Sequence, residues 1–164
     1  MTSERDVPVN WIELDFGKHD GKSLPQVLLS DPDWFFWALD KKAFDKCLAL
    51  RTQATLLNDR ARRIKPPTNE FADPVVEYLI HRPTMKFARF EIVPRERQLH
   101  EGASPTFRSD LIDMSVPRRI AAYDKLGCGS LIKSLKHYLF GGESTRITRA
   151  RAEAFFSDPT NFRP

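Results

Sequence analysis

The pair Pro66-Pro67 stands where the hydrophobic period of this chain changes, and no other feature restricts the fold as much. Upstream, between Asp31 and Lys65, apolar residues recur at helical spacing; downstream, between Val75 and Val116, they alternate. The first pattern is that of helices packed on one face, the second that of half-buried strands. Two successive prolines stop a helix, because each lacks an amide hydrogen and restricts the residue before it. The expected class is α+β: a small strand-turn-two-helix N-terminal module, then a three-stranded antiparallel sheet with C-terminal helices. Residues 1–66, the module plus a basic helix, and 67–164 are the expected units.

Trp11 to Phe16 alternates, with Ile12, Leu14 and Phe16 on one side, and is expected as a strand ending at Gly17. A polar turn to Gly21 follows, and then Ser23 and Gln26, whose S-x-x-Q spacing is that of a capping box opening a short helix through Leu29. Asp31 is a good N-cap and Pro32 a good first residue for a second helix, expected to reach about Leu50. Phe36, Trp37, Leu39, Ala43, Phe44, Cys47 and Leu48 share its apolar arc, and Trp34 falls on its polar side. Residues 51–65 read as a further helix, whose basic end, Arg60, Arg62, Arg63 and Lys65, complements the helix dipole.

Three alternating runs follow the prolines: Val76, Tyr78, Ile80; Ala88, Phe90, Ile92; and Ile112, Met114, Val116. They are expected as an antiparallel meander. The polar link 94–110 is long enough to be mobile or functional. After Pro117 three helices are expected, the first ending at Leu126-Gly127, the second from Ser130 to Gly141-Gly142, and the third from Ser144 or Thr145 to Phe156. The first two, joined by Gly127-Cys128-Gly129, have the outline of a helix-turn-helix. That would put Lys133, Lys136 and His137 on one stripe, flanked by Arg118, Arg119 and Lys125.

A chain of 164 residues, 41 % hydrophobic and 29 % charged, is expected to be soluble, and no apolar run approaches the roughly 18 residues of a bilayer span. The start of the chain lacks the basic and apolar stretches of a secretory signal, so the expectation is a cytoplasmic protein without a membrane partner. Cys47 and Cys128 fit that compartment as free thiols, and with the four histidines they match no zinc-ligand spacing. No metal or cofactor is expected. Net charge is +4 overall, but −3 over residues 1–50 and +7 over residues 51–164. A basic second part suits phosphate backbones or an acidic protein partner.

Gly17 and Gly21, with Lys18, His19 and Lys22 around them, can offer amides and cations to a phosphate, although the spacing is not that of a Walker loop. Trp34 is a candidate surface for stacking a base. Helix capping accounts for Asp31 and the helix dipole for Asp33, so a catalytic carboxylate pair is not expected. No nucleophile can be matched with a base, and no catalytic residue is named. Arg146 and Arg149 extend the basic character of the C-terminal part, with Glu153 placed to pair with Arg149 at i+4.

Phe16-Gly17-Lys18, Gly21-Lys22, Asp31-Pro32, Trp34 and Trp37 together resemble the small module at the C-terminus of exodeoxyribonuclease X and related exonuclease-like proteins. That module reads as a strand, F-G-K-x-x-G-K, a short helix, then D-P-x-aromatic with a tryptophan soon after. The resemblance covers about Ile12 to Phe44 and implies an accessory role in engaging nucleic acid, not catalysis. The expected function is that of a small non-catalytic nucleic-acid-binding protein of bacterial or phage type, with DNA as the expected ligand. Its contacts with the phosphate backbone would come from Lys18, His19, Lys22, Trp34, Arg118, Arg119, Lys133, Lys136, Arg146 and Arg149. The alternative is a regulatory factor that docks on an acidic protein partner in DNA processing.

Overall fold

A computed structural model describes residues 10–99, 106–121 and 124–164, which form six helices and a three-stranded antiparallel sheet. The helices are α1 (Leu24–Leu28), α2 (Pro32–Asp40), α3 (Leu48–Ala61), α4 (Val116–Ile120), α5 (Lys125–Leu139) and α6 (Arg149–Ser157). The strands are β1 (Pro74–His81), β2 (Lys86–Pro94) and β3 (Thr106–Ser109). The class is α+β, with helices before the sheet and helices after it, as the change of period implies.

In the N-terminal part, the extended segment from Trp11 to Phe16 is reduced to one bridge, Glu13 opposite Ser23. The Leu14 amide donates to the Lys22 carbonyl at 2.9 Å and the Gly21 amide to the Leu14 carbonyl at 2.7 Å. The turn between them uses left-handed backbone at Gly17 (φ 72°) and Gly21 (φ 84°), which a side chain would strain. α1 starts after Ser23 as expected, yet the Ser23 hydroxyl is buried without a partner, so the capping box does not form. Asp31 does cap α2, its carboxylate accepting from the Trp34 amide at 3.3 Å.

The single helix expected from Asp31 to Leu50 is two. α2 stops at Asp40 because Lys42 turns left-handed (φ 58°), its amide donating to Leu39 at 3.0 Å and that of Ala43 to Ala38 at 2.9 Å. These are the two bonds of a Schellman stop with lysine where glycine is usual, so the break left no mark in the sequence. The turn that follows seats Phe44 in the core, and α3 buries Leu50, Ala54, Leu57 and Ala61 along one face.

The sheet is not a meander. Its order is β2-β1-β3, so β1 is central, with Tyr78 opposite Phe90 on one side and Phe107 on the other. The third strand comes from Thr106–Ser109, inside the link expected to be loop. The run Ile112, Met114, Val116 alternates for another reason. Ile112 bridges Ile64 at the end of α3, all three side chains are buried, and Val116 already begins α4.

The helix-turn-helix expected at Gly127-Cys128-Gly129 does not form there. α5 begins at Lys125 and continues straight through Gly127-Cys128-Gly129. Asp124 caps it, accepting from the Gly127 amide at 2.9 Å, and a Cβ on Gly127 would collide with that carboxylate. The glycine makes room for a cap, not a bend. The stop at Gly141 (φ 91°) is as expected, whereas α6 is capped by Thr148, four residues beyond Ser144.

α5 lies on β2, burying Leu131 and Leu135 and stacking Tyr138 on Phe90 at 5.8 Å. One contiguous core takes Leu14, Leu24, Phe35, Leu57 and Ile64 from before the prolines and Val76, Tyr78, Phe90, Leu131 and Phe156 from after them. Ile64 bridges both Ile112 and Phe162. Among the described residues, no helix is long and apolar enough to cross a membrane.

Candidate phosphate-binding cleft

α4 is held by its N-terminal residues: Ser115, Val116 and Pro117 are buried, and the Ser115 amide and hydroxyl both donate to Asp113 Oδ1, at 2.8 and 2.6 Å. Of its two arginines, Arg118 meets an N-terminal helix and Arg119 turns back to Asp113. Arg118 Nη1 lies 3.1 Å from Asp33 Oδ1, and its Nη2 3.2 Å from Asp40 Oδ2, so one guanidinium joins both ends of α2. Arg119 Nη2 lies 2.8 Å from Asp113 Oδ2. Facing them, Arg62 at the C-cap of α3 donates to Asn58 Oδ1 at 3.1 Å and Ser115 Oγ at 3.2 Å, its guanidinium 5.6 Å from the Phe36 ring.

Arg62, Arg118 and Arg119 line an open cleft of about 580 Å³ with Phe36, Leu39, Asp40, Asn58 and Ser115. Three guanidiniums face a single lining carboxylate, because Asp33 and Asp113 orient Arg118 and Arg119 without lining the cleft themselves. Forked donors fixed in advance by such bonds suit the planar, multidentate recognition of phosphate oxygens. The Arg119 side chain is 61 % exposed, and Arg62 is exposed as well.

Of the residues marked in the sequence, Lys18, His19, Lys22 and Trp34 come together around Asp31. Lys18 Nζ is 2.8 Å and His19 Nε2 3.0 Å from Asp31 Oδ2, and Lys22 Nζ is 3.4 Å from His19 Nδ1. Burial pushes the Asp31 carboxyl up, but hydrogen bonds from Lys18, His19 and the Trp34 amide outweigh it and hold the group below the usual carboxylate range. His19 is buried with its edge to Trp34, ring centroids 4.9 Å apart. Lys18 and Trp34 also line a shallower cavity of about 250 Å³, together with Asp33, Trp37 and Lys125. This cavity adjoins the cleft through the Asp33–Arg118 pair.

The remaining predicted residues lie elsewhere. Lys133 and Lys136 are on α5, the first exposed and the second half-buried, and Arg146 is exposed ahead of α6. None of these three lines either cavity. Arg149 makes the expected i+4 pair with Glu153 at 3.5 Å, but its nearer partner is Glu13, at 2.7 Å. Arg62 was legible only as one of several cations at a helix end, because nothing in the sequence joins it to Ser115 and Arg118.

Among the described residues, no group of three histidine, cysteine or acidic side chains is placed to hold a metal. Cys128 is buried in the first turn of α5, where burial and the nearby carboxylates of Asp33, Asp124 and Asp31 push its thiol up to about 12. It is held protonated at neutral pH. No family model matches the chain, and no curated protein or solved structure is significantly similar to it.

Proposed function

We propose that this chain is a small non-catalytic, cytoplasmic nucleic-acid-binding accessory protein of bacterial or phage type that grips the phosphate backbone, with DNA the first ligand to test. The observation that carries the reading is the cleft in which Arg62, Arg118 and Arg119 converge with one lining carboxylate among them. The resemblance of Ile12–Phe44 to the exonuclease-associated module supports the same class, as does the +7 net charge after residue 50. Backbone binding releases counterions, so the logarithm of the affinity falls linearly with the logarithm of salt concentration.

Fluorescence anisotropy with labelled DNA, titrated across salt, tests this. Arg119→Ala and Arg62→Ala are each expected to weaken binding for all sequences alike and to lower the salt slope by about one. Absence of binding to DNA and RNA alike at about 50 mM salt would remove the proposal. Under that outcome, retention of the purified protein on a specific acidic partner, lost on Arg119→Ala, would assign the cleft to protein docking.

A further inference from the structure

The shallow cavity beside the cleft has chemistry that a phosphate site does not need. Its lining combines two half-buried indoles, Trp34 and Trp37, two lysines and one carboxylate. Trp34 is firmly held: His19 meets it edge-on at 4.9 Å, Phe44 edge-on at 6.0 Å, and Trp37 tilts against it at 6.4 Å. The ring also lies close to the turn backbone, where a Cβ on Gly17 would stand in ordinary contact with it at 3.5 Å. The tryptophan on the polar side of α2 is thus fixed at the edge of the cavity.

We infer that the protein selects single-stranded over duplex nucleic acid, stacking one base against Trp34 and Trp37 while Lys18 and Lys125 hold the adjoining phosphates. The inference rests on the phosphate-binding reading above and deepens it. Base faces are exposed in a single strand, whereas a duplex hides them in its own stack and must unpair to offer one. Both lysines sit at the cavity, Lys18 from the glycine turn and Lys125 from the first position of α5, so the cations flank the indoles. Asp33, buried and fixed by Arg118 at 3.1 Å, is the one carboxylate in the lining of the same cavity. From Arg118 the strand continues into the arginine cleft, which makes one track of two cavities that share an ion pair.

The test uses the full chain with oligo-dT and oligo-rU of about 20 nucleotides and a duplex of equal length, enough to exceed the usual site size. Both single strands are expected to bind about 10-fold or more tightly than the duplex and to quench tryptophan emission, with buried Trp11 left as background. Trp34→Ala should cost about 10-fold in single-strand affinity and nothing on duplex. Lys125→Ala, at an exposed position outside the core, should lower the single-strand salt slope by about 0.7 and serves if Trp34→Ala fails to fold. Quenching by oligo-dT alone or oligo-rU alone upholds the inference, and oligo-dU then separates the sugar from the thymine methyl as the source of the preference. Duplex bound as tightly as either single strand, without quenching, overturns it and leaves the phosphate reading standing. No binding to any of the three removes the phosphate reading itself.

Discussion

Asp31 ties the glycine turn to the start of α2. It caps α2 through the Trp34 amide and receives Lys18 and His19 on its other oxygen. Asp31→Ala removes the cap and both partners and is expected to destabilise the protein by about 1–2 kcal/mol in urea unfolding. Asp31→Asn keeps an acceptor for the Trp34 amide and separates the charge from the cap. Since the folded-state pKa of Asp31 lies below its ordinary value, its charge-dependent contribution is complete above the usual carboxylate range, near pH 4, and is lost as pH falls through the lower folded value. Wild type should therefore exceed Asp31→Asn in stability at pH 7, and the two should converge in acid. A difference independent of pH would contradict this role. The cap was legible from Asp31-Pro32 alone. The contacts of Lys18 and His19 were not, because they exist only once Gly17 and Gly21 fold the turn back on α2.

At the scale of elements, the clear signals in the sequence were those that follow period and those that glycine marks through positive φ. Helical character was legible in α2, though not its end, in α3, and in α5 from Ser130 onward; alternation located β1 and β2, and Gly141 ended α5 where expected. The misreadings have separate physical causes, one a long-range contact and two local backbone devices. Ile112 and Met114 alternate to meet the end of α3, Lys42 takes a glycine conformation, and Gly127 clears space for the Asp124 cap. The last case gives a paired prediction. Gly129→Ala meets nothing within 4 Å and is expected to stabilise α5 by about 0.5–1 kcal/mol, as alanine does in a helix interior. Gly127→Ala must displace the Asp124 carboxylate, and losing that cap should cost about 1 kcal/mol in net. Opposite signs in thermal unfolding would identify a continuous helix; a true glycine turn would make both substitutions costly.

In the whole molecule, the charge asymmetry along the chain is partly a device for joining its two ends. Acidic Glu13, Asp33 and Asp40 from the first 40 residues receive Arg149 and Arg118 from the last 50. Trp11 donates to Ser157 at 2.9 Å, and the Lys65 amide to Asn161 at 2.9 Å. The cleft forms along this seam, which is why composition could suggest a basic face but could not locate it. With the core shared across Pro66-Pro67, both sides should unfold together. The tryptophans all precede the prolines and Cys128 follows them, so the two report on opposite sides. In a Cys47→Ser background, which removes the exposed thiol, Cys128 is the only remaining cysteine. Its buried, protonated thiol reacts only through opening and should be protected about a thousandfold or more in native buffer. Along a urea series its labelling by a thiol reagent should follow the same midpoint as the loss of native tryptophan emission. Labelling that begins at distinctly lower urea than the emission change would show that the sheet and α5 open independently of the N-terminal helices, and the seam would then be a docking surface between two units.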